Sequence, residues 1–496
     1  MKALVLVAIL LAQVRADAGN VLFVDDDAVP GGNGVSWKTA YQDLQDALAF
    51  AAVPGNGVGE IRVAQGIYKP TGILGDRTIS FDLIGGVLLL GGYAGIGGVD
   101  PDARDVDLFE TVLSGDLNGD DGPEPFEDND ENSYHVVTAT IEGAIDGFTL
   151  TAGNANGEVQ GSDRGGGLFN EGKDPLVSEC RIINNSAKQV GGGVYSSNLF
   201  GGWISVPRFI DCLFMGNSVT DLNSAFNDNG GGAIFNGGDA ASSHTTQFMN
   251  CVFTNNMAPI GGAMLNKAAE LLVTNCVFDG NLAETDGGAI YSQSGVLTAT
   301  NSSFSQNVAG RNGGGNFLLA ATTSFTNCIL WGNSDKAGKG ESAQIWHCCG
   351  SVAVNVSCIQ GGWSGEGGFL VISKNPLFED SENGNLHLNP GSPCIDAGFN
   401  DVDTDQNKDG LQPLSDLDLD GNPRFVDDPR TKDTGIGDPP IVDLGAYEFQ
   451  PVACPWDLDS NRSVGVSDLL ILLGNWGNPY GVSDFLALLA NWGPCP

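Results

Sequence analysis

The C-terminal tail contains an arrangement of oxygen-bearing side chains that is typical of a metal site. In the stretch DLDSNRSVGVSD, positions 1, 3, 5, 7 and 12 are held by Asp457, Asp459, Asn461, Ser463 and Asp468. Calcium loops place oxygen ligands at these positions, and the ligand at position 7 is a main-chain carbonyl. The stretch therefore predicts a calcium site. An aspartate cluster that only caps the following helix is the alternative.

A second acidic run precedes the tail and alternates oxygen ligands at two-residue steps. Its members are Asp401, Asp403, Asp405, Asn407 and Asp409. The run resembles thrombospondin-type calcium repeats, and three further aspartates follow closely, at positions 416, 418 and 420. A shorter run, Asp116, Asn118 and Asp120, is a third candidate. Calcium is the expected cofactor, and a solvated acidic loop is the alternative in each case.

Candidates for catalysis are sparse. A polysaccharide lyase or hydrolase needs an acid or base within hydrogen-bond reach of its substrate. The four histidines are scattered through the chain, and the basic residues of the repeats share no common offset. Arg164 and Asp163, beside a run of three glycines, are the best pair that the sequence offers. No catalytic residue is assigned.

Composition restricts the class of partner and the compartment. The chain has 61 acidic residues against 22 Lys and Arg, a formal net charge of −39. Phosphate binding requires a basic surface, so nucleic acid and anionic membranes are disfavoured. Residues 1–18 have the basic start, apolar core and small-x-small site of a secretory signal peptide. No later apolar run is long enough to span a bilayer. We therefore expect a secreted or cell-surface protein without membrane insertion.

One short pattern recurs along the chain and predicts the elements that must position these residues. NCVFDGNLAETDGGAIY, at 275–291, has counterparts at 179–195, 211–217, 250–265, 301–317 and 327–333. Cys276 and Ser302 are 26 residues apart, as are Ser302 and Cys328. A period of this length indicates a repeat architecture, and the alternation with Gly and Asn breaks favours short strands. The sequence predicts an all-β right-handed parallel β-helix with one coil per repeat.

Stacked coils place equivalent residues in rows. We expect one inward row of small residues, one of phenylalanines and one of asparagines whose amides bond from coil to coil. The first row is Cys212, Cys251, Cys276, Ser302 and Cys328; the second is Phe214, Phe253, Phe278 and Phe304; the third is Asn185, Asn217, Asn256, Asn281, Asn307 and Asn333.

Helices are expected at both ends of the β-helix. Thr39 and Gln42 form a candidate capping box ahead of an amphipathic helix that would cover the open end of the core. We divide the chain into a signal peptide at 1–18, a cap and first coils at 19–144, β-helix repeats at 145–450 and a helical module at 454–496. The third part includes an acidic loop at 401–424 and a last strand in VDLGAYEFQ.

Two resemblances to known families add expectations. SWKTAYQDLQDAL, NPLFED, GSPCIDAG and DLGAYEF, with the rungs GGAI and FxxN, resemble secreted β-helix proteins of the polymorphic outer membrane protein type. This resemblance covers residues 20–450 and implies surface exposure and adhesion.

The tail resembles a dockerin, because GVSDFLALLANWG at 481–493 repeats GVSDLLILLGNWG at 465–477. A dockerin binds calcium and docks to a cohesin. Arg462 replaces the glycine of position 6, and the second copy has lost its loop. We therefore expect a degenerate paired-helix module, and cohesin docking is disfavoured.

Three functional classes remain open at this point. The first is a non-enzymatic protein that presents a surface for adhesion or for binding a glycan or cell-envelope component. The second is a polysaccharide lyase or glycoside hydrolase, and the third is a structural component of an envelope layer. A groove that gathers acidic, basic and aromatic side chains would distinguish chemistry or binding from mere display.

Overall fold

The chain folds as a parallel β-helix, which confirms the fold class expected from the repeats. The computed structural model describes residues 19–73, 75–122, 126–139, 143–198, 204–221, 229–239, 244–403, 416–451, 456, 458, 463–476 and 481–494. Each coil visits up to four parallel sheets in a fixed order, and we number these sheets 1 to 4 in that order. The signal peptide expected at 1–18 lies outside the described residues.

Sheets 1 and 2 run along nearly the whole solenoid. Sheet 1 contains the strands Asn20–Val24, Val58–Ala64, Leu88–Tyr93, Ala144–Asp146, Leu176–Ser178, Arg208–Ile210, Thr245–Met249, Glu270–Thr274, Val296–Thr300, Thr322–Thr326, Ser351–Asn355 and Gly368–Phe369. Sheet 2 contains Gly66–Tyr68, Thr111–Ser114, Thr149–Thr151, Arg181–Ile183, Leu213–Met215, Val252–Thr254, Val277–Asp279, Ser303–Ser305, Ile329–Trp331 and Cys358–Ile359.

Sheets 3 and 4 complete the coils. Sheet 3 contains Asn154–Ala155, Ser186–Ala187, Ser218–Val219, Met257–Ile260, Leu282–Asp286 and Val308–Ala309. Sheet 4 contains Phe81–Asp82, Val137–Ala139, Leu168–Glu171, Val194–Ser197, Ile234–Gly237, Met264–Lys267, Ile290–Gln293, Asn316–Leu319 and Ile345–Cys348.

The remaining elements are short. Two antiparallel pairs join Phe378–Asp380 to Asn385–Leu388 and Ser463–Val464 to Gly493–Pro494. The α-helices are Leu44–Ala51, Glu341–Gln344, Val466–Gly474 and Val482–Ala490, and the 3-10 helices are Trp37–Thr39, Ser381–Asn383 and Asn400–Asp403. Within the described part of the chain, none of the helices is long and apolar enough to cross a membrane.

The three predicted rows exist. The Phe253, Phe278 and Phe304 rings are fully buried and stack with centroids 4.7 Å apart. The Cys276 amide donates to Ser302 Oγ at 3.1 Å, which places the serine in the cysteine row. The Asn281 side-chain amide donates to Asn307 Oδ1 at 2.8 Å. The same bond recurs along the asparagine row, so the core is a set of continuous ladders.

The N-terminal helix begins later than the capping box predicts. Asp43, rather than Thr39, caps it, and Asp43 Oδ1 accepts the Gln45 amide at 2.8 Å. Backbone hydrogen bonds tie Tyr41 to Phe23 and Asp25, which keeps the chain extended just before the helix. The predicted capping box was therefore wrong. Of the apolar face expected at Leu44, Ala47, Leu48 and Ala51, the first three are buried and Ala51 is half-buried.

Residues 376–403 and 416–451, called the C-terminal segment below, contact the outer side of sheet 2. The Ala446 amide donates to Ser303 Oγ at 3.1 Å, and Asn275 Nδ2 donates to the Leu417 carbonyl at 2.8 Å. Leu386 and Ala446 pack on Val277. The strand expected in VDLGAYEFQ is absent from residues 442–450, all of which are described. Their amides bond to side chains or to single carbonyls of different segments and form no ladder with one strand.

Candidate functional site

A groove interrupts the regular surface of sheet 2, and we call it the sheet-2 groove. Its volume is about 410 Å³. Its floor is made by outward side chains of consecutive sheet-2 strands, and its walls are the loop at 104–110 and the C-terminal segment. The floor residues include Thr149, Arg181, Leu213 and Val252; the wall residues include Val106, Asp107, Glu110, Leu419, Asp420 and Tyr447.

Two carboxylates enter the groove from the turn between sheets 1 and 2. Glu179 and Asp211 occupy equivalent turn positions with φ of 47° and 53°, and Asn250 follows in the same row with φ of 53°. Asn and Asp tolerate this left-handed conformation, whereas Glu is less suited to it. The turn therefore fixes the Glu179 and Asp211 side chains on successive coils at one edge of the groove.

Burial gives these two carboxylates unusual electrostatics. Burial raises the pKa of Glu179 to about 7; repulsion from Asp146 adds to the rise, and the Arg104 guanidinium opposes it. Burial also raises the pKa of Asp211 to about 6, although a hydrogen bond from Asn250 lowers it. Arg104 lies 3.7 Å from Glu179 and also pairs with the fully buried Asp146. Both groove carboxyls can therefore carry a proton near neutral pH.

Acidic partners hold Arg181 in the groove and His387 beside it. Arg181 Nη2 lies 2.6 Å from Asp107 Oδ1, and its other terminal nitrogen lies 3.9 Å from Glu110. On the opposite wall, the His387 and Tyr447 rings lie 4.0 Å apart. His387 Nε2 lies 2.6 Å from Asp420 Oδ2, and this hydrogen bond raises the pKa of the imidazole.

The sheet-2 groove thus gathers acidic, basic and aromatic side chains along the coils. Protonated carboxyls donate hydrogen bonds, ionised ones accept them, and Tyr447 adds an apolar surface, a combination suited to a polyhydroxylated ligand. Sequence reasoning missed this site. One signal was present in the sequence. The residue just before the cysteine-row position is Glu179 in one coil and Asp211 in the next, whereas it is Asn in the four coils that follow.

The pair named from the sequence lies elsewhere: Arg164 lines a second groove of about 750 Å³ outside sheet 4, called the sheet-4 groove, and Asp163 is its salt-bridge partner. Arg164 Nε lies 2.9 Å from Asp163 Oδ1, and its guanidinium lies 5.2 Å from the centroid of the Tyr195 ring. Tyr195 stacks between Phe169 and Phe235 in an aromatic row. The observed contacts of Arg164 are therefore those of a residue that stabilises this row.

The described part of the tail shows helix capping. Asp468 is fully buried, and its carboxylate oxygens accept the Leu458 amide at 2.6 Å and the Gly465 amide at 2.8 Å. Asp457, Asp459 and Asn461 lie outside the described residues, as does the side chain of Ser463. The calcium assignment of this loop stays a prediction.

The two tail helices expose matched apolar side chains at a 16-residue offset. The pairs are Val466 and Val482, Leu470 and Leu486, Leu473 and Leu489, and Trp476 and Trp492. Beneath them, Leu472 and Leu488 share one small core. The paired-helix module is therefore present, and whether it docks to a cohesin stays untested.

The other acidic runs are described only in part. Asp401 is the second residue of the 3-10 helix Asn400–Asp403. The Asp403 side chain and all of Asp405, Asn407 and Asp409 lie outside the described residues. In the shorter run, two of the three expected residues come together. Oxygen atoms of Asp116 and Asp120, with those of Asp121 and Glu131, lie within 4.8 Å of one another. Asn118 instead accepts the Asp120 amide at 3.0 Å.

Comparison with known proteins gives a short family match. Residues 275–293 match the Chlamydia polymorphic membrane protein repeat. The match spans three successive strands of one coil and includes the stretch from which the repeat was recognised. No match was found among curated proteins.

Comparison with solved structures matched the crystal structure of pectate lyase Pel9A. The similarity has a TM-score of 0.41 at 14% identity, and it covers 88% of this chain and 98% of that one. Nothing about activity follows from a likeness at this level.

Proposed function

We propose that this chain is an exported, cell-surface or secreted β-helix protein that binds a glycan or a related cell-envelope component without cleaving it. The observation that carries the proposal is the sheet-2 groove, where five carboxylates, Arg181 and Tyr447 line one open depression. A neutral or amine-bearing glycan fits this lining, because a net charge of −39 and an acidic groove repel anionic polymers.

The state of the basic groups supports binding over lyase chemistry. A lyase acting on an acidic polysaccharide needs a base near the substrate carbon and a cation that neutralises the substrate carboxylate. In this groove, Arg181 is paired with Asp107 and Glu110. Arg104, which lies beside the groove residue Glu179, is paired with Asp146. These guanidinium groups organise the groove's own acids.

Retention of purified protein in gels that contain neutral, amino or acidic polysaccharides tests the proposal. We expect retardation by a neutral or amino polymer, and we expect Glu179→Gln with Asp211→Asn to weaken it at least tenfold, about 1.4 kcal/mol. The matched control is Glu171→Gln, which alters an acid of the sheet-4 groove. Equal retardation of all three proteins, or of none, contradicts the assignment.

Glycoside hydrolysis is a second candidate that one observation favours. Glu179, with a pKa raised to about 7, can act as a proton donor, and Asp211 lines the same groove. New reducing ends that disappear in Glu179→Gln would support hydrolysis, and the rate should fall above pH 7 as Glu179 loses its proton. Binding without new reducing ends would reject it.

A further inference from the structure

The C-terminal segment contains a buried aspartate, Asp396, whose main chain is held by hydrogen bonds and whose carboxylate lies close to other acids. Asp396 is fully buried. Its amide donates to Asp443 Oδ1 at 2.7 Å, and its carbonyl accepts the Thr434 amide at 2.9 Å and the Gly435 amide at 3.1 Å. No hydrogen bond of good geometry reaches either carboxylate oxygen, although the Asp428 backbone amide is near enough to lower the pKa of Asp396. A buried ionised group without partners costs several kcal/mol, so this side chain needs a counter-ion or a proton.

Two further carboxylates converge on the same point from a different loop. Ligand oxygens of Asp396, Asp427 and Asp433 all lie within 4.8 Å of one another. Calcium–oxygen bonds are about 2.3–2.6 Å long, so one ion can bridge oxygens with this separation. Burial, and then repulsion from Asp427 and Asp433, raise the pKa of Asp396 to about 7. Three acids at this distance without a cation are mutually unfavourable.

The arginines of this segment that the structure describes are used elsewhere. Arg430 Nε lies 3.0 Å from Asp428 Oδ1, and that pairing helps to lower the pKa of Asp428. Arg424 is fully buried, and its Nη2 donates to the Gly445 and Ala446 carbonyls at 3.0 Å. Arg430 thus pairs with Asp428, and Arg424 bonds to main-chain carbonyls.

We propose that Asp396, Asp427 and Asp433 bind one calcium ion in the C-terminal segment. Carboxylate oxygens are hard ligands, which excludes a site selective for soft transition metals. Calcium accepts irregular sets of six to eight oxygens that include water and main-chain carbonyls, whereas magnesium demands near-octahedral geometry at shorter distances. Asp427 is exposed, so an ion can reach the buried Asp396 from solvent.

This site is connected to the wall of the sheet-2 groove by hydrogen bonds. Asp443 accepts the Asp396 amide at 2.7 Å, and Glu448 Oε2 accepts the Asp443 amide at 2.9 Å. Asp418 accepts the Glu448 amide at 3.1 Å, and Asp420 of the groove wall follows two residues later. Bound calcium should therefore hold this wall of the groove in place. An effect of calcium on ligand binding rests on the proposed function, whereas the calcium site itself does not.

Calorimetric titration of chelator-treated, full-length protein with calcium chloride tests the site. We expect Asp427→Asn and Asp433→Asn each to remove one calcium from the binding stoichiometry or to weaken one class of sites at least tenfold. Both positions lie in the loop that reaches the cluster from outside, so the decisive variants leave the buried Asp396 in place.

The matched control is Asp279→Asn. Asp279 also has a buried carboxylate oxygen without a hydrogen bond, but burial is the only resolved cause of its raised pKa, and its side chain belongs to none of the acidic groups described. Its calcium titration should equal that of the wild type. Unchanged stoichiometry and affinity in both loop variants, or an equal loss in Asp279→Asn, would overturn the proposal. Because no glycan is present, the result is independent of the proposed function.

Discussion

Truncation of one ring in the phenylalanine ladder tests how far the solenoid depends on its rows. Phe278 is fully buried and stacks on Phe253 and Phe304 with centroid distances of 4.7 Å on both sides. Phe→Ala substitution in a protein core costs about 3–5 kcal/mol. Each stacked aromatic pair contributes about 0.5–1.5 kcal/mol beyond area burial, so two lost pairs place the expected cost near the upper end, about 5 kcal/mol.

Urea denaturation followed by circular dichroism measures this cost. Neighbouring coils stabilise one another in a solenoid, so a defect in a central coil should also broaden the transition. Val296→Ala is the control, because this valine is 38% exposed on the outer face of the next sheet-1 strand. A loss below about 1 kcal/mol for Phe278→Ala, or an equal loss for both variants, would show that the row is not a stabilising element.

Three further predictions follow from the described contacts. Asn281→Leu should destabilise the chain by about 2–4 kcal/mol in the same urea assay, because the Asn256 side-chain amide and the Phe253 carbonyl lose partners; a loss below about 1 kcal/mol would contradict this role. Folding raises the pKa of Glu179 from 4.5 to about 7, so the folded state binds more protons between these values, and its contribution to stability falls as pH rises through that window. Thermal melting from pH 4.5 to 7.5 should therefore show a shallower decline for Glu179→Gln than for the wild type, and parallel curves would refute the assignment. Asp468→Ala should increase amide exchange in Val466–Gly474 more than Asp484→Ala does in Val482–Ala490, because Asp468 accepts two backbone amides and Asp484 accepts the Gly481 amide.

The ladders could be predicted from the sequence because they depend on a local period. When Cys276, Phe278 and Asn281 recur at about 26-residue steps, stacking of coils brings their counterparts into register. The N-terminal helix illustrates the limit of local patterns. Thr39 and Gln42 have the right spacing for a capping box, but tertiary backbone bonds at Tyr41 hold the chain extended there.

The sheet-2 groove could not be predicted in this way, because its walls come from segments far apart in the chain. Glu110, Glu179 and Tyr447 meet only because two non-repetitive segments pack against the same sheet. The cluster around Asp396 has the same origin, since its partners lie more than 30 residues away. Periodicity describes the coils and says nothing about what covers them.

Hydrogen–deuterium exchange with and without the polysaccharide that retards the protein is the most direct test of the central claim, that the sheet-2 groove binds a glycan. The account predicts increased protection in the loop at 104–111, at the turns around Glu179 and Asp211, and in residues 417–420 of the C-terminal segment. The sheet-4 groove around Arg164 should remain unchanged. Protection confined to the sheet-4 groove or to the tail helices, with none at these segments, would contradict the claim.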